Sequence, residues 1–114
     1  MKGSYLGEFQ EIVLLTILIL EDQAYGVKIQ EEISNRLERK ISRGALHTAL
    51  TRLQEKDFIS SAMGEATAVR GGRRKKFYTV TNQGKKALKT AKEMRDQLWD
   101  ALPNINWDTS FRLT

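Results

Sequence analysis

Apolar positions recur along this chain in several helical patterns and one alternating pattern. The acidic lead Glu8-Phe9-Gln10-Glu11 runs into Ile12-Val13-Leu14-Leu15-Thr16-Ile17-Leu18-Ile19-Leu20. That run is longer than a typical strand and acidic where a helix N-terminus favours acid, so a first helix is predicted. It is apolar nearly all the way round. One face should meet the domain's core and the other a second copy of the chain, since a central helix wrapped by its own domain is harder to arrange in so small a protein. After the short connection Glu21-Asp22-Gln23, residues Tyr25, Ile29, Ile33 and Leu37 mark one face of a second helix. Lys40-Ile41 suits a brief strand, and Ser42 an N-cap for a third helix ending near Lys56. Its apolar stripe is Leu46, Ala49, Leu50 and Leu53. At about 100° per residue, Gly44, Thr48, Thr51, Arg52 and Glu55 lie opposite, with His47 on the shoulder.

Beyond a turn at Asp57, Phe58 to Met63 forms the first strand of an expected hairpin, residues 64–72 its long loop, and Lys75 to Val80 the return, with Tyr78 and Val80 on one side. Thr81 caps a last helix in which Ala87, Leu88, Ala91, Met94, Leu98 and Leu102 have heptad-like spacing and Lys85, Lys86, Lys89 and Lys92 take outer positions. Pro103 stops it. The tail holds Trp107 and Phe111 without a period, and no internal repeat is present. The expected fold is mainly α with a small β hairpin: a winged helix-turn-helix with N- and C-terminal dimerisation helices. Residues 1–80 would form the DNA-binding unit, 81–103 the C-terminal dimerisation helix and 104–114 a tail.

Length and composition narrow this picture. The 114 residues fit one domain, and the apolar content of 40% is that of a globular chain. With no cysteine there are no disulfides or thiolate metal sites. The longest apolar run falls well short of the roughly 20 residues a membrane span needs. Met1-Lys2-Gly3-Ser4 opens no secretory signal, so no membrane partner and a cytoplasmic location are expected. The net charge of +5 is unevenly spread: residues 1–38 hold three Lys/Arg against seven Asp/Glu, residues 39–92 fourteen against three, and the remainder two against four. A basic block of this kind is the footprint of phosphate binding, with a merely solvated basic face as the alternative.

Inside that block, Arg70-Gly71-Gly72-Arg73-Arg74-Lys75-Lys76 runs directly into Phe77-Tyr78-Thr79-Val80. The glycine pair permits a tight turn and close approach to another molecule, and the cations suit the phosphates or narrow minor groove of double-stranded DNA. Arg70, Arg73, Arg74 and Lys75 are the contacts expected there; Lys76 has the weakest case, because strand alternation leaves its direction open. On the third helix Ser42, Arg43, Gly44, His47, Thr48, Thr51 and Arg52 form the expected DNA face. Arginine reads guanine bidentately, while threonine offers a hydroxyl to phosphate and a methyl to thymine. Lys56 suits a backbone contact or plain solvation. His47, the sole histidine, has no partners at metal-ligand spacing, which leaves packing or DNA contact. No nucleophile, base and orienter can be assembled around it and no P-loop follows the glycines, so neither enzymatic activity nor a cofactor is expected. Trp99, late on the last helix, would clasp a second copy or help to form a pocket for a small aromatic ligand. A protein-interaction module that meets an acidic partner is the competing class.

Four segments in this order carry a resemblance. Leu6-Gly7-Glu8-Phe9, Ala24-Tyr25-Gly26-Val27-Lys28-Ile29, Gly44 to Lys56, and Gly71 to Gly84 together resemble the PadR family of bacterial transcriptional regulators, over roughly residues 6–102. The resemblance implies a homodimeric DNA-binding repressor, paired through its first and last helices and sometimes released by a ligand. Phe9, Val13, Leu88, Ala91, Met94, Leu98, Trp99 and Leu102 are the interface residues it suggests. Three positions depart from the family pattern: His47 replaces the usual tyrosine, Asp57 replaces a glycine that commonly ends the recognition helix, and a short tail follows the last helix. The last departure implies the short subgroup, whose dimer rests largely on helices one and four.

Overall fold

The computed structural model describes residues 6–64 and 74–108. Its elements are α1 (Glu8–Leu20), a 3-10 turn (Glu21–Gln23), α2 (Gly26–Leu37), α3 (Arg43–Glu55), β1 (Ile59–Met63), β2 (Lys76–Val80) and α4 (Asn82–Asp100). This is the mainly helical winged helix-turn-helix that the sequence pattern predicts. Val13, Leu14 and Ile17 of α1 meet Ile29 and Ile33 of α2 and the whole apolar stripe of α3 in one core, closed by Phe58, Ile59, Val80 and Leu88. Thr16 is buried among them without cost in unmade bonds, because its hydroxyl donates to the Ile12 carbonyl at 2.8 Å. Leu37 departs from expectation. It continues the α2 stripe but is exposed, since the last turn of that helix runs past the core that Ile29 and Ile33 fill.

Both ends of α3 are closed by local chemistry. Ser42 accepts a hydrogen bond from the Ala45 amide at 3.0 Å, satisfying one of the orphan donors of the first turn. At the other end the Phe58 amide bonds the Leu53 carbonyl and the Asp57 amide the Gln54 carbonyl, at 2.9 and 3.0 Å, with Asp57 at φ 63°. That is a Schellman stop, a position glycine favours and aspartate tolerates. Aspartate at this position therefore leaves the turn intact.

The strands pair antiparallel, with Ile59 opposite Val80 and Met63 opposite Lys76. Lys40-Ile41 is not a strand: Ile41 is buried and its carbonyl accepts the Gln30 side-chain amide at 2.7 Å, which joins the chain before α3 to α2 instead. The third segment against β2 is Ala24-Tyr25, through a bridge between Tyr25 and Phe77 and a 2.8 Å bond from the Tyr78 amide to the Ala24 carbonyl. Burial on this sheet also raises the Tyr78 phenol above its ordinary pKa of 10.0.

Thr81 joins hairpin to last helix. Its side-chain oxygen accepts from the Gly84 amide at 3.0 Å and its hydroxyl donates to the Asp57 carbonyl at 2.7 Å. Gly84 and Leu88 are then buried and Ala87 and Ala91 half-buried, but every described residue from Lys92 onward is exposed. A two-pronged ion pair, Arg95 to Glu11 at 2.7 and 2.5 Å, ties the middle of α4 to α1.

Candidate nucleic-acid interface

Burying Leu46, Ala49, Leu50 and Leu53 turns the opposite face of α3 outward. Arg43, Gly44, His47, Thr48, Thr51 and Arg52 are all exposed along it, with Ser42 at its start. Among the described residues nothing pairs with Arg43, His47 or Arg52. Gly44 is open as well: a Cβ built there meets no atom within 4 Å. The fold therefore does not require glycine at this point, and the absence of a side chain leaves room for a molecule outside the chain. Beside this face, an apolar cleft of about 510 Å³ separates the start of α2 from the start of α3, lined by Val27, Gln30, Arg43, Leu46 and His47 among others. His47 thus stands at a cleft rim, exposed to solvent. No group of three or more His, Cys, Asp or Glu suited to a metal ion occurs among the described residues.

Among the described residues, five other cations of the basic block make contacts within the protomer. Lys56 donates to the Gln10 side chain at 2.8 Å and lies 5.8 Å from the Phe58 ring centre, so it helps to hold α3 to α1. Arg39 lies over Phe9 at 5.8 Å, and Lys92 pairs with Asp96 at 2.7 Å. That pairing raises the Lys92 ammonium above its usual pKa. At the root of the hairpin loop, Arg74 donates to the Gly64 carbonyl at 2.9 Å and Lys75 sits 4.2 Å above the Tyr25 ring centre. Arg70, Gly71, Gly72 and Arg73 lie outside the described residues.

The expected pairing residues divide into two groups. Val13 is fully buried and Leu88 nearly so, both in the protomer's own core, and Phe9 is half-buried against it. They offer a second copy little surface. The open face of α1 is instead Leu15, Leu18 and Ile19, which the sequence could not orient because that helix is apolar all round. Ala91 is half-buried, while Met94, Leu98 and Trp99 stand exposed along the far half of α4, Leu98 at 71%, and Leu102 just beyond its end is exposed too. Trp107 adds to them. Beyond the helix end the tail brings its indole 5.6 Å from that of Trp99, tilted by 34°. Nothing periodic in the tail signalled this contact. Between α1 and α4 lies a second apolar cleft of about 520 Å³, floored by Leu15, Leu18 and Leu88 and rimmed by Lys85, Lys89 and Lys92.

Comparison with known proteins agrees with this architecture. The family described as "Transcriptional regulator PadR-like family" matches residues 14–90. A protein of Lysinibacillus sphaericus is 36% identical over 84 residues, 72% of each chain. A PadR family transcription regulator from Clostridium difficile superposes with a TM-score of 0.61 at 28% identity, covering 81% of this chain and 92% of its own. A PadR-like transcriptional regulator from Bacillus cereus shares the fold at 21% identity, with a TM-score of 0.66 and coverage of 81% and 84%. With the exposed face of α3, the hairpin and the helix order all in place, the chain belongs to the PadR-like family of transcriptional regulators.

Proposed function

We propose that this regulator is a homodimeric repressor that binds a pseudo-palindromic operator in double-stranded DNA. The observation that carries the reading is the outward face of α3, where Arg43 and Arg52 have no partner among the described residues and Gly44 leaves open space. By contrast Lys56, of the same block, is engaged within the protomer, donating to Gln10. Residues 1–80 would then read DNA, with α3 in the major groove and the hairpin loop over the flanking backbone. Residues 81–103 would pair the copies, and the recognition helices would meet half-sites about 34 Å apart.

The exposed far half of α4 supports pairing. Met94, Leu98, Trp99, Leu102 and Trp107 form an apolar arm, and the α1/α4 cleft offers it a seat of matching character. Charge favours reciprocal exchange: Lys85 and Lys89 rim the cleft, whereas Glu93 and Asp100 lie on the far half of the helix, Lys92 being paired with Asp96 and Arg95 with Glu11 within the protomer. A small aromatic ligand that inserted at the Trp99 end of the arm would act on the spacing of the two reading heads and release the operator. Regulation of transcription in the cytoplasm requires no catalytic residue, metal or cofactor.

Selecting bound duplexes from a random library, then titrating the selected sequence at several salt concentrations, tests the reading. Affinity should fall steeply, with a slope of about −0.9 per neutralised phosphate. Replacing Arg73 and Arg74 together by alanine should weaken binding to every duplex and flatten the slope, while Arg52→Ala should change the preferred sequence. Salt-insensitive binding, or none, would favour a protein-interaction module instead.

A further inference from the structure

The start of β2 is held by a residue that belongs to neither strand. Tyr25 precedes α2, and its backbone bridges Phe77 of β2. Its ring meets the Phe77 ring edge-on, with centres 5.4 Å apart and planes at 72°. The Lys75 ammonium lies 4.2 Å above the centre of the same ring, well inside cation–π range. From the other strand, Gly64 makes way for this stack: a Cβ there would come within 2.6 Å of Phe77 Cε1. The Gly64 amide also donates to the Lys75 carbonyl at 2.7 Å. All of these contacts act on residues 74–77, where the chain leaves the cationic loop and enters β2.

A lysine on a flexible four-carbon stem loses rotamer freedom when it binds, and a stem already held over an aromatic face has less to lose. The ring also ties direction to distance. Because Tyr25 leads straight into α2, which packs on α3, the position of Lys75 and the start of β2 is set relative to α3. Resting on the DNA-binding reading above, we propose that Tyr25 is a positioning residue for the wing: its ring holds Lys75, at the start of β2, in a fixed place relative to α3, raising affinity for every duplex without itself touching DNA.

Fluorescence anisotropy with the library-selected duplex and an unrelated duplex tests this, using wild type, Tyr25→Phe, Tyr25→Leu, Lys75→Gln and the Tyr25→Leu/Lys75→Gln pair. Tyr25→Leu should weaken both duplexes alike, by between about threefold and thirtyfold, leaving the preference between them unchanged. Tyr25→Phe, which keeps the ring, should restore binding to within about twofold. In the Lys75→Gln background the Tyr25→Leu effect should shrink, because the ring then has no ammonium to hold. The free protein gives a further readout: the Lys75 ε-methylene protons should be shifted upfield by the ring in wild type and Tyr25→Phe, and not in Tyr25→Leu. If thermal unfolding shows that Tyr25→Leu has lost its fold, Tyr25→Met takes its place. Unchanged affinity in Tyr25→Leu, failure of Tyr25→Phe to rescue, or an altered preference between duplexes would overturn the proposal alone. Wild-type protein that binds neither duplex would overturn it together with the DNA-binding reading.

Discussion

Gly44 and Gly84 both lie in the first turn of a helix, and their surroundings give opposite expectations for the same substitution. A Cβ on Gly84 would stand 2.2 Å from the Phe58 carbonyl oxygen and 2.9 Å from Val80 Cγ1, where the neighbour is backbone and cannot swing aside. Gly84→Ala should therefore destabilise the protein by about 1–3 kcal/mol, read as a lower unfolding midpoint in denaturant. At Gly44 nothing lies within 4 Å. Gly44→Ala should stabilise α3 by up to about 1 kcal/mol through helix propensity, yet weaken duplex binding by about fivefold or more if the backbone there approaches a groove. Stabilisation with undiminished DNA affinity would take Gly44 out of the interface. The sequence marks both positions as glycine and cannot distinguish them, because what separates them is a strand and a carbonyl brought in from elsewhere in the chain.

At the level of elements, the parts decided by neighbouring residues were legible and those decided by distant pairing were not. The caps Ser42 and Thr81, the buried stripe of α3 and the two hairpin strands follow from local spacing, and the structure agrees with each. Tyr25 illustrates the other case. Four-residue spacing assigns it to the α2 stripe, whereas a partner more than fifty positions away makes it a strand edge and a ring support. Much the same holds for α1, whose even apolar pattern hides which side faces inward, and for the tail, where Trp107 meets Trp99 from beyond the helix end. Ser42 allows its two expected roles to be separated. Ser42→Ala should cost about 1 kcal/mol of stability through loss of the cap on α3. Ser42→Asp keeps a capping oxygen and places favourable charge at the helix start, so stability should hold while duplex affinity falls through repulsion of phosphate. If Ser42→Asp binds DNA as well as wild type, Ser42 is a cap and nothing more.

Across the whole molecule, α4 belongs half to the core and half to solvent. Up to Ala91 it packs on α1 and the hairpin; beyond Lys92, Arg95 still pairs with Glu11 of α1, but Met94, Leu98 and Trp99 stand largely exposed. Leu98→Asp tests the pairing role with little risk to the protomer, since Leu98 is 71% exposed. Equilibrium sedimentation should give a monomer, circular dichroism should show a folded chain, and an intact dimer would remove the arm from the interface. The two tryptophans of this chain, Trp99 and Trp107, both stand at the end of that arm, and neither belongs to α3 or the hairpin. Intrinsic emission from the unlabelled protein is therefore a natural gauge of one end of the molecule. Its wavelength should move to the blue if copies associate through the arm and should respond to an aromatic compound lodged between them, while changing little with events at the outward face of α3.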